Sequence, residues 1–189
     1  MMLFSWISSC LWRYYSRYEA SGRLHILYSN LFFLFLLSLA LMLLISGAWV
    51  WEAESLLIKE LVVYAVLQLV FNQLFLGYMV VVRLKGKSGF YNIFQGLRAI
   101  AGLIVALVLV FYLEADITAL VSSLALTDAL SILFLSLVNP ARLKLRFDEV
   151  NLSVLKALLQ YGSLGLILNI SLLTISYSDR YIIAMFYNL

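Results

Sequence analysis

Long apolar runs are the feature of this sequence that most restricts its fold. Four of them cover residues 31–51, 61–82, 97–113 and 117–138, and a fifth, more polar run covers residues 155–178. A helix rises about 1.5 Å per residue, so runs of this length approach or exceed the roughly 30 Å hydrocarbon core of a bilayer. Strands are not expected, because an open strand would leave backbone groups without hydrogen bonds in lipid. The sequence therefore predicts an all-α, polytopic transmembrane helix bundle with about five spans.

The composition excludes an ordinary soluble domain. Hydrophobic residues make up 65% of the chain and charged residues 12%, against roughly 45–50% and 25% in soluble globular domains. Cys10 is the single cysteine and His25 the single histidine, which excludes an intrachain disulfide and a multi-histidine metal site. No cofactor or metal is expected. Residues 1–12 are apolar but too short to cross a membrane, and they lack the basic start of a cleavable signal peptide.

Basic residues flank the apolar runs rather than forming one patch. Eleven of the 13 lysines and arginines lie in three segments: the N-terminal flank, the connection after the second run, and the connection after the fourth run. If each run crosses once, these segments fall on the same side, which the positive-inside rule makes cytoplasmic. The sequence thus predicts a multi-pass protein with a cytoplasmic N-terminal flank, and the spread of charge argues against a nucleic-acid partner.

Polar side chains inside the runs are the candidates for function. Asp128 lies near the centre of the fourth run, where insertion of a carboxylate costs roughly 2.5–3.5 kcal/mol. It is interpreted either as an ion-coupling or substrate contact or as a group that fixes helix packing, for example through Ser131. Gln68 and Asn72 share one face of the second run and are interpreted as interior groups that hydrogen-bond to other helices. Arg98 is expected to snorkel to the headgroups, with contact to an anion as the alternative.

The fifth run carries Asn169 and ends in the adjacent pair Asp179 and Arg180. Neighbouring residues on a helix point about 100° apart, so these two pair poorly with each other. Each is expected to have a partner elsewhere. A functional site and a structural ion pair both remain open for them.

Three short segments carry a resemblance to a known family. Residues 155–162 read Leu-Lys-Ala-Leu-Leu-Gln-Tyr-Gly, residues 178–183 read Ser-Asp-Arg-Tyr-Ile-Ile, and residues 13–15 read Arg-Tyr-Tyr. They resemble motifs of the polysaccharide flippase family, the O-antigen and exopolysaccharide translocases of the multidrug/oligosaccharidyl-lipid/polysaccharide exporter superfamily. One departure is that Ser163-Leu164-Gly165 stands where the family commonly has a proline after the Tyr-Gly pair.

The resemblance implies a domain organisation and a substrate. Residues 1–138 would form an N-terminal flank and four helices of a first half-bundle, residues 139–156 a basic cytoplasmic linker, and residues 157–189 the first helix of a second half-bundle. The chain would be a fragment of a transporter with 12 or more helices in the bacterial inner membrane. Its substrate would be an undecaprenyl-diphosphate-linked oligosaccharide, flipped during lipopolysaccharide or exopolysaccharide export, with membrane lipids and other polysaccharide-assembly membrane proteins as partners.

The resemblance also suggests roles for the polar residues. Arg98 and Arg180 would contact the anionic substrate. The ion-coupling or interior polar positions would be Asp128, Asp179, Gln68, Asn72 and Asn169.

Two other functions compete with the translocator. A membrane-embedded glycan polymerase or acyltransferase needs a nucleophile with its base, a histidine or a large extramembrane loop. His25 stands alone in the N-terminal flank, and the connections predicted on the outer side are short, so a non-enzymatic function is favoured. A structural membrane fragment that only packs against a partner is the other alternative.

Overall fold

The computed structural model of the chain describes residues 2–112, 118–138 and 145–187. Across these ranges the chain is helical, with six α-helices, a single turn of 3-10 helix at Phe147–Glu149 and no strand. The α-helices are Met2–Ala20 (α1), Leu24–Glu52 (α2), Leu56–Leu84 (α3), Ser88–Tyr112 (α4), Thr118–Val138 (α5) and Leu152–Tyr187 (α6). Five of them, α2 to α6, are long and apolar enough to cross a membrane. The predicted all-α transmembrane bundle of about five spans is confirmed.

The helices extend beyond the apolar runs that predicted them. Helix α2 begins at Leu24 and α4 at Ser88, seven and nine residues before the corresponding runs. The difference arises because hydropathy marks the part of a helix suited to lipid, whereas the helix itself begins and ends at capping positions. Helix α1 is a further addition, since the sequence treated its first residues only as a short apolar stretch. The connection between the third and fourth apolar runs, residues 114–116, and part of the predicted linker, residues 139–144, lie outside the described residues.

Glycines close α1 and α3 with the same backbone motif. Gly22 has a φ of 69° and Gly86 a φ of 78°, a region that favours glycine. After α1, the Gly22 N–H donates to the Glu19 carbonyl at 3.0 Å, and the Arg23 N–H donates to the Tyr18 carbonyl at 2.9 Å. This pair of bonds is the Schellman motif, which satisfies carbonyls that the helix end leaves open. The chain therefore turns back sharply, and Arg23 is held close to the last turn of α1.

Residue contacts divide the chain into two compact units. One contains the described parts of residues 1–35 and 145–189, in which α1 packs against α6. The other covers residues 36–144, in which α3 and α4 both pack against α5. The predicted domains, residues 1–138, 139–156 and 157–189, follow one another along the chain. The residue contacts instead group residues 1–35 with residues 145–189.

In the first unit, α1 and α6 run antiparallel. Trp6 lies against Gly162 and Gly165 of α6, and the Cys10 thiol lies 3.4 Å from the Leu158 carbonyl oxygen, to which it donates. Residue numbers thus rise along α1 as they fall along α6. Glycine at position 162 permits this approach, because a methyl group built there would overlap the Trp6 ring. Burial raises the pKa of the Cys10 thiol to about 12, so the thiol stays protonated and serves as a packing group.

The segment before α6 is held to the beginning of α2 by two buried polar side chains. The Asn30 carboxamide donates to the Glu149 carbonyl at 3.2 Å and accepts from the Asn151 N–H at 3.0 Å. The Ser29 hydroxyl oxygen accepts from the Arg146 N–H at 2.8 Å. Backbone groups in an irregular segment lack the hydrogen bonds that a helix provides, and these side chains supply partners for them.

The second unit has its core where α3, α4 and α5 meet. Phe75, Met79, Phe94 and Leu135 are buried together, and the Phe75 and Phe94 rings stack with centroids 5.9 Å apart. The Tyr78 hydroxyl donates to the Leu135 carbonyl at 3.4 Å, which ties α3 to α5. The core therefore fixes the rotation of all three helices and determines which polar residues face each other.

Large apolar side chains cover the outer surface of the second unit. Leu44, Phe111 and Leu137 are each more than 70% exposed, and many other leucines and isoleucines are exposed with them. Soluble proteins rarely present contiguous apolar surface on this scale. The surface is suited to lipid, in agreement with a multi-pass membrane protein.

Candidate functional site

The second unit contains a polar cluster centred on Arg98. The Arg98 Nε donates to the Asp128 carboxylate at 2.5 Å, and its Nη2 donates to the Asn72 side-chain oxygen at 2.9 Å. The Nη1 lies 3.5 Å from the Gln95 side-chain oxygen, and the guanidinium carbon lies 4.4 Å from the centroid of the Phe75 ring. Groups from α3, α4 and α5 thus converge on one cation. We call these five residues the Arg98 cluster.

The cluster lies far from the helix ends. Ten residues separate Asp128 from either end of α5, and ten separate Arg98 from the beginning of α4. At about 1.5 Å per residue, this places both groups roughly 15 Å from those ends, near the middle of a span. The Asp128 side chain is 1% exposed and that of Arg98 is 18% exposed. The pair is therefore both central and shielded.

The expectation that Arg98 snorkels to the headgroups is wrong. Its guanidinium points between the helices because Asp128 and Asn72 lie within its reach there. Two opposite charges attract each other far more strongly in a medium of low dielectric constant than at a surface exposed to water. Its hydrogen bonds also satisfy donors that would otherwise be left open in the interior. The alternative reading of Asp128 as a packing group named Ser131 as its partner, whereas the structure gives it Arg98.

One carboxylate oxygen of Asp128 is left without a partner. Oδ1 accepts from Arg98, while Oδ2 is buried and makes no hydrogen bond. Nearby hydroxyls on α5 are satisfied by their own helix: the Thr127 hydroxyl donates to the Ser123 carbonyl at 2.7 Å, and the Ser123 hydroxyl to the Leu120 carbonyl at 2.8 Å. A buried acceptor without a partner costs about 1–3 kcal/mol. Oδ2 is thus a buried acceptor that can still receive a hydrogen bond.

The structure brings together some of the predicted site residues and not others. Asn72, Arg98 and Asp128 meet in the cluster. Gln68 lies one turn before Asn72 on α3 and is half-buried, and Asn169 lies on α6 in the other unit. The side chains of Asp179 and Arg180 fall outside the described part of the chain, so their predicted roles stay predictions.

Sequence reasoning missed Gln95 and Phe75. Gln95 precedes Arg98 by three residues, and Phe75 follows Asn72 by three, so each shares a helix face with a residue already singled out. That spacing is the signal that would have found them. Phe75 was overlooked because an aromatic residue in an apolar run reads as lipid-facing, although here its ring lies under a cation.

The Arg98 cluster has a limited chemical repertoire as it stands. The charge of Arg98 is neutralised by Asp128, and its donors are directed at side chains of the protein. It can therefore bind an outside anion only after the ion pair opens. Among the residues that the structure describes, no group of three or more His, Cys, Asp or Glu side chains is placed to hold a metal ion.

The fold and the cluster define the class of protein: a polytopic α-helical membrane protein with a buried ion pair in the middle of two adjacent spans. Comparison of the chain with protein-family models, with curated proteins and with solved structures finds no match in any of the three.

Proposed function

We propose that the chain belongs to a membrane translocator that flips a lipid-linked oligosaccharide in polysaccharide biosynthesis and export. The observation that carries this proposal is a contact between two of the segments that resemble the flippase family. The Arg13 guanidinium lies 4.8 Å from the centroid of the Tyr161 ring, and the Tyr14 ring meets the same ring edge-on at 6.0 Å. The Arg-Tyr-Tyr and Tyr-Gly motifs are thus packing partners, which supports treating them as one feature and not as two chance matches.

The physical task of such a protein is to move a glycan and a diphosphate through hydrocarbon. Polar groups between helices, shielded from lipid, are the expected means, and an ionisable residue inside a span is a functional-site hypothesis by default. The Arg98–Asp128 pair fits that expectation. We propose that it has a closed state, the one described above, and an open state in which Arg98 contacts the diphosphate. Arg180 would be a second anion contact, with Asp128 and Asp179 as ion-coupling groups.

The proposed orientation places the N-terminal flank in the cytoplasm of a bacterium. The end of α1 carries Arg17 and Arg23, the end of α3 carries Arg83, and basic residues precede α6. Two spans separate the first of these segments from the second, and two more separate the second from the third. All three therefore lie on one side, and the positive-inside rule assigns that side to the cytoplasm.

The test is expression of the full reading frame in a strain that lacks its polysaccharide flippase. We expect surface polysaccharide to return with the unaltered protein and to fall at least tenfold with Asp128→Asn. Asp148→Asn is the matched control, because it makes the same chemical change at an exposed carboxylate in the 3-10 turn. Failure of the unaltered protein to restore any polysaccharide, with the protein present in the membrane, would argue against the proposal.

The second candidate is a purely structural role for the Arg98–Asp128 pair, and one observation favours it. Each nitrogen of the Arg98 guanidinium is directed at a side chain of the protein itself, as expected for a pair that only joins helices. In that case Asp128→Asn lowers stability and leaves export per folded molecule unchanged. Export normalised to the amount of folded protein therefore separates the two candidates.

A further inference from the structure

A polar cavity lies in the first unit, between the end of α1 and the beginning of α6. Its volume is about 390 Å³. The polar residues that line it, here called the Arg17–Arg23 pocket, are Tyr14, Arg17, Tyr18, Ser21, Arg23 and Ser153. Sites for small molecules typically measure roughly 300–1,000 Å³, so the cavity has room for a charged headgroup.

The charge of the pocket is positive and uncompensated. Arg17 and Arg23 line it, no carboxylate does, and neither arginine has an ion pair among the residues described. The hydroxyls of Ser21 and Ser153 donate within the chain, to the Tyr18 carbonyl and to the Asn151 side chain. The groups left to donate to a ligand are the two guanidiniums and the two tyrosine hydroxyls.

The local sequence builds this arrangement in two ways. Tyr14, Arg17 and Tyr18 follow the i, i+3, i+4 spacing, which places them on one face of α1, and Ser21 follows directly after the helix ends at Ala20. The Schellman motif then turns the chain, so that Arg23 returns to the same face instead of continuing away from it. The beginning of α6 closes the other side, with the positive end of its helix dipole nearby.

We propose that the Arg17–Arg23 pocket binds a phosphate group, supplied by the headgroup of an anionic phospholipid. Guanidinium groups bind phosphate through paired, charge-assisted hydrogen bonds, and tyrosine hydroxyls add further donors. The pocket lies beside Leu152, where the candidate α6 span begins. The end of a span is the position at which lipid headgroups are expected. This inference is independent of the proposed function, because a headgroup site does not require transport.

The test measures lipid binding to the purified full-length chain by native mass spectrometry. The probe is dioleoylphosphatidylglycerol, which has a net negative charge, and the comparison is dioleoylphosphatidylcholine, a zwitterion whose choline cation balances its phosphate. The variant R17Q/R23Q removes both guanidiniums. The variant K85Q/K87Q is the matched control, because it removes the same charge from another exposed turn.

We expect phosphatidylglycerol to bind R17Q/R23Q at least tenfold more weakly than the unaltered protein, which corresponds to about 1.4 kcal/mol. Binding to K85Q/K87Q should change less than twofold, and R17K/R23K should bind between these limits because lysine keeps the charge but not the paired donors. Competition by inorganic phosphate would support the phosphate site and assign its ligand to the soluble pool. Absence of competition would support the site and assign it to the headgroup. Equal losses in the two glutamine variants, or no loss in either, would overturn the proposal.

Discussion

Neutralisation of Asp128 is the most informative perturbation of the Arg98 cluster. Asp128→Asn preserves the size of the side chain but leaves Arg98 without its anion. Arg98 lies roughly 15 Å from the beginning of α4. Removal of one partner from a buried ion pair costs roughly 3–5 kcal/mol. Arg98 keeps its bond to Asn72 and is 18% exposed, so we expect a loss near the lower limit, about 3 kcal/mol of unfolding free energy.

The reverse variant should cost less. Arg98→Gln leaves the buried carboxylate beside an amide that can still donate to it, whereas Asp128→Asn leaves a guanidinium that keeps its charge in all conditions that a protein tolerates. The double variant carries neither charge. Its loss should therefore be smaller than the sum of the two single losses by about 2 kcal/mol, within the range of coupling energies for contacting residues.

The assay is a double-mutant cycle of unfolding free energies, measured in bicelles by titration with SDS and followed by tryptophan fluorescence. Asp148→Asn serves as the control and should change stability by less than about 0.5 kcal/mol, as expected for an exposed position. Additivity of the two single losses within about 0.5 kcal/mol would refute the reasoning, because independent sites behave in that way.

Three further predictions concern the first unit. Gly162→Ala should lower the free energy of unfolding by about 1–3 kcal/mol, because the added methyl group overlaps the Trp6 ring. Gly165→Ala should be neutral, because a methyl group there meets only ordinary contacts. Thermal melting of the two variants checks this, and equal melting temperatures would contradict it. Cys10 should resist N-ethylmaleimide at pH 7 in the folded protein and react after denaturation in SDS, with rapid labelling of the folded protein as the contrary result. Because the pKa of Cys10 is raised from 9.0 to about 12 on folding, the stability contributed by the neutral thiol is complete below pH 9 and is lost as the pH rises to about 12. Cys10→Ala should remove this part of the decrease in unfolding free energy at alkaline pH. Equilibrium unfolding at several pH values measures it.

The sequence was sufficient to predict the fold class and the positions of the spans, because hydropathy over about 20 residues is a strong local signal. It was not sufficient to predict the partner of Asp128. Residues 98 and 128 meet only because α4 and α5 are rotated so that both side chains face the same interface, and that rotation is set by the aromatic core around Phe94. No local pattern in either run encodes it.

Helix α1 was missed for a different reason. Its charged residues interrupt the apolar pattern, so it resembles a flank when judged by hydropathy alone. Its helical form is supported by packing against α6, through Trp6 on Gly162 and Cys10 on Leu158. Long-range support of this kind outweighs local propensity, and a single sequence does not reveal it. The same holds for Asn30, which bonds to Ile26 in its own helix but also to Glu149 and Asn151, more than 100 residues away.

Translocation of the lipid-linked substrate is the most direct measurement of the central proposal. The protein from its full reading frame would be reconstituted in vesicles with a fluorescent undecaprenyl-diphosphate oligosaccharide, and the label in the outer leaflet would be quenched over time. We predict that quenching reaches beyond the half of the label initially exposed, and that Asp128→Asn slows this second phase at least tenfold relative to Asp148→Asn. A second phase no faster than in protein-free vesicles would contradict the proposed function.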